Sequence, residues 1–256
     1  MRSSAIDGSQ RKAARIAGLA YLSSFVTVAS VNFGIFARLI VSADPAQTAR
    51  NILAHEALFR VGLAGDVLYC IAVLVVSAAL YVVLKPVDRT LALVAAFGRL
   101  VHGFTWLLVT VNLFTALRLL SRPEYARGFP RDQLTVLARL YLSGFDQNYV
   151  GLLFWSLAAT AGAYLWLKSA YVPSALAAFG ALAGAWCAAC TFVLFLFPEF
   201  PKLVNPWWFD MPMVLFEIAL SVLLLFRGLR PSGLTTQGPV SLDVEVFAIN
   251  NKATHE

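Results

Sequence analysis

This sequence predicts an all-α membrane protein, a polytopic bundle of six transmembrane helices, and three observations carry that expectation. Of its 256 residues 59% are apolar before the 16 glycines are counted, where a soluble domain has roughly 45–50% with glycine included. Only 13% are charged, and a mean hydropathy of +0.73 leaves too little polar surface to cover a globule of this size. The apolar residues also gather into six separate runs divided by short polar segments. The net charge of +6, from 20 basic and 14 acidic residues, sits at the ends of those runs rather than in a patch, so anionic headgroups and not nucleic acid are its expected partner. Cys70, Cys187 and Cys190 lie inside apolar runs and imply neither a disulfide framework nor a thiolate metal site.

The first span covers residues 16–41. A signal peptide would have a shorter core and a small-residue cleavage site, and Asn32 interrupts this one, so it is retained as helix 1. The second span, residues 58–84, contains Asp66 and ends at the polar turn Lys85-Pro86-Val87-Asp88-Arg89. The third, residues 91–120, carries Arg99, His102 and Asn112 in its interior. Pro123, Gly128 and Pro130 oppose an uninterrupted helix beyond it. Leu134, Leu137, Ala138 and Tyr141 then recur at helical spacing beside Arg139, which predicts a short interfacial helix over residues 134–142. The fourth span, residues 148–167, is entered through Asp146 and Gln147, and Pro173 suits the first turn of the fifth, which runs to residue 197. Pro198, Pro201, Pro206 and Pro212 predict a rigid, non-helical connection to the sixth span, residues 211–226, which is short and contains Glu217.

Six spans put both termini on one side. Arg11, Lys12, Arg15, Lys85, Arg89, Lys168, Arg227 and Arg230 flank the membrane there, which predicts cytoplasmic termini in a multi-pass protein of the cell's inner membrane. The expected organisation is a cytoplasmic tail over residues 1–13, a transmembrane domain over 14–230 and a second cytoplasmic tail over 231–256, of which 241–249 alternates like a strand. In the fifth span Ala177, Gly180, Ala181, Gly184 and Ala185 form a small-residue face, suited to packing within the chain or to a homodimer.

Four segments carry a family resemblance: RKAARIAGLAYL at residues 11–22, ARNILAHEALFR at 49–60 with Gly62 and Asp66, LKPVDRTLA at 84–92, and residues 144–173 with Tyr149, Gly151, Tyr164, Lys168 and Pro173. They resemble the bacterial multi-span family catalogued as domain of unknown function 4386, and the KPVDR turn is the most specific piece. The likeness covers most of residues 11–230 but neither the C-terminal tail nor the 198–212 connection. It implies about six helices and no established activity.

Function must therefore be read from polar groups inside the bilayer. Antiparallel order places Asn32 and Asn112 in the outer half, Arg60 near the outer interface and His102 near mid-membrane. Asp66 falls roughly 12 Å below Leu58, and Glu217 about 9 Å beyond Met211. With Asp146, Gln147 and Asn148 at the mouth of the fourth span, five helices contribute to one level, which predicts a hydrated or ligand-sized cavity. The alternative is a clamp, for example Asp66 with His102 or Arg60 and Glu217 with Asn32 or Asn148. Arg60 and Glu56 share one face and suit an interfacial ion pair. Arg99 either snorkels inward or serves as counter-charge to a buried acid. His102 and Trp106 continue its face, and without a second histidine at ligand spacing His102 reads as a hydrogen-bonding core residue rather than a metal ligand. Trp207 and Trp208, beside Phe209, belong to an interfacial aromatic belt or lean over the cavity mouth.

Three functions fit these residues. The first is an intramembrane enzyme for a lipophilic small molecule or lipid, cyclising or isomerising an isoprenoid-like chain. A carboxylic acid in an apolar setting can donate a proton to an alkene, and aromatic faces stabilise the cation that forms. Asp66 and Glu217 would be the acid and its partner, with His102, Asn112 and Asp146 fixing geometry. Asn32, Arg60, Arg99, Trp106, Asn148, Trp207 and Trp208 would contact substrate. The placement is similar to that of small membrane terpene cyclases, by analogy alone. The second is a transporter of an ion or small solute, and the third an accessory protein of a membrane complex. No cofactor or metal is expected, since no phosphate-cradling glycine loop follows a strand.

Overall fold

A computed structural model of the chain describes residues 6–41, 44–121, 128–143, 147–197, 199–205 and 207–230. The strand-like stretch at 241–249 and Asp146 lie outside them.

Helix α1 (Gly8–Ala29) starts well before the apolar run because Asp7 caps it. The Asp7 carboxylate accepts the Gln10 N–H at 2.7 Å, while the Gln10 side chain accepts the Asp7 N–H at 3.2 Å. The Gln10 amide also donates to the Val83 carbonyl at 3.1 Å, which buries this end against the bundle. The helix thus begins eight residues before residue 16, where the first span was expected to start. The rod continues as a π-helical segment, Ser30–Phe36, and a final turn, α2 (Ala37–Leu39). An unpredicted helix follows, α3 (Pro45–Ala54), started by the Asp44 cap and by proline in its first turn.

Helices α4 (Glu56–Leu84) and α5 (Arg89–Ser121) are joined by the KPVDR turn. There one Asp88 oxygen caps the Leu91 N–H at 3.0 Å and the other faces Lys168 Nζ at 3.8 Å. The interfacial helix α6 (Arg131–Leu142) is three residues longer than its periodicity indicates. Helix α7 (Asn148–Ser169) ends at Ala170 in the left-handed region (φ 54°), and α8 (Ser174–Leu196) and α9 (Phe200–Leu203) follow. Helix α10 (Trp207–Phe226) contains Pro212, so the last connection is shorter and more helical than its four prolines suggest. Proline cannot donate back to the carbonyl four residues earlier. That carbonyl, on Trp208, accepts the Trp186 indole N–H at 2.7 Å instead, which keeps the helix intact.

Six helices are long and apolar enough to cross a membrane: Gly8–Leu39, Glu56–Leu84, Arg89–Ser121, Asn148–Ser169, Ser174–Leu196 and Trp208–Phe226. Each packs on the next, and the last packs on the first, which closes an antiparallel ring. Small residues set the seams. A Cβ on Gly18 of α1 would lie 2.7 Å from the Ser221 carbonyl oxygen of α10, so only glycine permits that approach. On α8, Gly180 faces the Phe216 ring and Gly184 faces Ser156 and Thr160. The two glycines of that face are therefore covered by α7 and α10 of the same chain, while Ala185 remains exposed. Toward the termini the ring axis is filled by Trp166, Phe216 and Leu220 around a cleft of about 20 Å³.

Candidate functional site

Helix geometry brings the ionisable groups to the centre of the ring. Arg99 lies ten residues from the start of α5 and Glu217 ten from the start of α10, about 15 Å in each case. Those two helices start at opposite faces, so both side chains reach the middle of an apolar layer of about 30 Å. Glu217 had been expected shallower, near Asn112, because α10 was expected to start at Met211; it starts four residues earlier.

Arg99 donates to Glu217 Oε1 at 2.7 Å, and both side chains are almost wholly buried. The same oxygen accepts the Trp155 indole N–H at 2.9 Å and the Tyr21 hydroxyl at 3.3 Å. The Arg99 guanidinium also lies 5.1 Å from the centre of the Tyr21 ring, a cation–π contact. Arg99 is thus the counter-charge to a buried acid and does not snorkel. Neither expected clamp for Glu217, with Asn32 or Asn148, is formed: the Asn32 amide donates to its own helix at Val28, and buried Asn148 Oδ1 has no hydrogen-bond partner.

A second cluster sits between α4 and α5. Asp66 is 1% exposed and accepts the Trp106 indole N–H at 3.2 Å through Oδ1. Tyr69, one turn along α4, bonds His102 Nε2 at 2.9 Å and packs its ring 5.0 Å from that of Trp106. His102 stacks on Trp155 at 5.4 Å, which joins the two clusters. Asp66 Oδ2 and His102 Nδ1 are both buried without a hydrogen-bond partner. Asp66 is bound to neither His102 nor Arg60, the partners expected of it; Arg60 pairs instead with Glu56 at 2.7 Å, on the exposed face of α4. Gly151 of α7 makes room for the histidine, because a Cβ there would lie 3.2 Å from His102 Nδ1 and 2.8 Å from Thr105 Cβ.

A family model described as Domain of unknown function (DUF4386) matches residues 16–228. The chain belongs to the DUF4386 family. The matched span takes in the 198–212 connection, which the resemblance in the sequence had left outside. No curated protein and no solved structure matches the chain.

In this DUF4386 protein the five converging helices expected from the sequence are present, yet Tyr21 and Trp155 make the contacts to Glu217 for which Asn32 and Asn148 were the candidates, and Tyr69 bonds His102. Asn112 lies elsewhere, its amide donating to Gln147 Oε1 at 2.9 Å. Trp208 is 66% exposed, and Trp207 opens α10. The ligand-sized cavity is also displaced. A space of about 450 Å³ lies at the face opposite the termini, between the π-helical segment, α3, the end of α5 and α6, with Asn32, Phe36, Thr48, Leu120 and Arg139 in its wall. Asp66 and Glu217 are not part of that wall. Phe36 stands between: its ring covers Gly62, where a Cβ would lie 2.6 Å from Phe36 Cε1, and Gly62 is one helical turn from Asp66.

Proposed function

We propose that this protein acts on a lipophilic, lipid-like substrate inside the membrane by proton transfer from Asp66. The supporting observation is a buried carboxyl with one unbonded oxygen, set against the rings of Tyr69 and Trp106 one turn from the Phe36 wall of a 450 Å³ cavity. Glu217 is already bound to Arg99, Trp155 and Tyr21, so the reading uses one acid where two were expected. The Asp66 proton passes to one carbon of a substrate double bond, whose π electrons form the new C–H bond and leave a cation on the other carbon. Loss of a proton from the neighbouring carbon to the carboxylate restores the acid and shifts the double bond, which is isomerisation. Attack on the cation by a second double bond before that loss gives a ring, the chemistry of a terpene cyclase. The aromatic faces stabilise the cation in both cases, and His102 positions Tyr69 through its hydrogen bond. The basic residues at the terminal face support a cytoplasmic location for the termini and an inner-membrane setting. A solute path finds less support, since the axial cleft toward the termini has room for about one water.

Asp66→Asn keeps the shape and still accepts the Trp106 N–H. It should leave the fold intact and lower product formation at least tenfold, about 1.4 kcal/mol of transition-state stabilisation. The measurement is the lipid extract of cells expressing wild type and variant, beside flux in proteoliposomes of the same preparations. Identical lipid profiles would sink the proposal, and a flux lost only in the variant would replace it with transport.

A further inference from the structure

The cavity opposite the termini carries a charge that the proton transfer does not use. Arg139 of α6 lies in its wall on an exposed stretch of that helix, and among the described residues no acid pairs with it. Three other polar side chains of the wall bond within the chain. The Thr48 hydroxyl bonds the Val41 backbone, the Ser143 hydroxyl donates to Leu140 and the Asn32 amide donates to Val28. Most of the remaining wall is apolar, with Phe36, Ile40, Leu120 and Leu142. Helices α3 and α6 close it at the ends of the first and third spans, the depth at which lipid headgroups lie. A single uncommitted guanidinium above an apolar trough is complementary to a molecule with an anionic head and a hydrocarbon tail, and the volume falls within the range of ligand sites, roughly 300–1,000 Å³.

We infer that this cavity binds an anionic amphiphile, its carboxylate or phosphate on Arg139 and the first part of its chain along Phe36, Ile40 and Leu120. The inference names the substrate class of the proton-transfer reading and rests on it in that respect alone, because binding depends only on the cavity.

The test uses the full chain in phosphatidylcholine nanodiscs with a diazirine-bearing fatty acid, and with the corresponding fatty alcohol as the uncharged control. After irradiation the adducts should map to residues 30–49 and 134–143. Arg139→Gln changes an exposed side chain and should lower fatty-acid labelling at least tenfold while leaving the weaker alcohol labelling unchanged. Ala49→Trp, at the half-buried rim of the cavity, should lower both. Labelling that maps elsewhere, or that neither variant reduces, overturns the site. Displacement of the probe by phosphatidylglycerol added to the disc assigns the bilayer as the source of the amphiphile, and displacement by free fatty acid alone assigns the unesterified molecule. Displacement by neither also overturns it. Asp66→Asn separates the two proposals: labelling retained with unchanged lipid products refutes the proton transfer alone, whereas lost products with labelling insensitive to Arg139 and Ala49 refute the cavity alone.

Discussion

At the centre of a bilayer a carboxylate needs partners, and Glu217 has three on one oxygen. Glu217→Gln removes the charge that Arg99 was folded against and leaves a buried guanidinium uncompensated. It should destabilise the protein by about 3–5 kcal/mol, read as denaturant unfolding in detergent micelles. The pair Arg99→Met with Glu217→Leu removes both charges together and should recover most of that loss. A double variant no more stable than Glu217→Gln alone would show that the indole and phenol contacts, not the ion pair, hold the site. Arg99, His102, Asp66 and Glu217 were legible because ionisable groups stand out in apolar runs. Their partners were not: Tyr21, Tyr69 and Trp155 are three of 33 aromatic residues (19 Phe, 8 Tyr and 6 Trp) in a chain that also uses them to face lipid. The one local signal that could have pointed to any of them is the three-residue spacing of Asp66 and Tyr69 on one helix.

Among the elements, helix ends decide more than helix interiors. The N–H of Gln10 and the hydroxyl of Ser9 hold the Asp7 carboxyl below its ordinary value of 3.8, so the cap contributes fully above that value and fades as pH falls through the lower, folded-state value. Amide protection at Gln10 and Arg11 should drop on that descent in wild type and stay level in Asp7→Asn, whose side chain caps without titrating. Equal acid sensitivity in both would assign the loss to another group. The cap was written in the sequence as Asp7 and Gln10, but a hydrophobic-run reading starts a span at its first apolar residue and passes over a polar first turn. Asp44 followed by Pro45 announced α3 in the same way. The start of α10 was hidden for a different reason, since a tertiary bond from Trp186 makes Pro212 tolerable and no local rule contains that bond. The π-helical register of Ser30–Phe36 has no sequence signal of this kind either, yet it places Asn32 and Phe36 in the cavity wall.

For the whole molecule the number of spans followed from hydropathy alone, whereas their circular order follows from contacts such as Gly18 on Ser221 that only the folded chain displays. Ile6 and Leu229, near the two described ends, pack against one and the same core cluster. Spatially, then, the ring has no first helix and no last one. A circular permutant could join residue 230 to residue 6 through a short flexible linker and open the chain between Leu84 and Arg89. Two spans lie before that cut and four after it, both even, so every helix keeps its direction across the membrane. Such a permutant should purify as a monodisperse species melting within a few degrees of wild type. If it inserts but fails to pack, the order in which helices leave the ribosome, and not their final contacts, is what selects this fold.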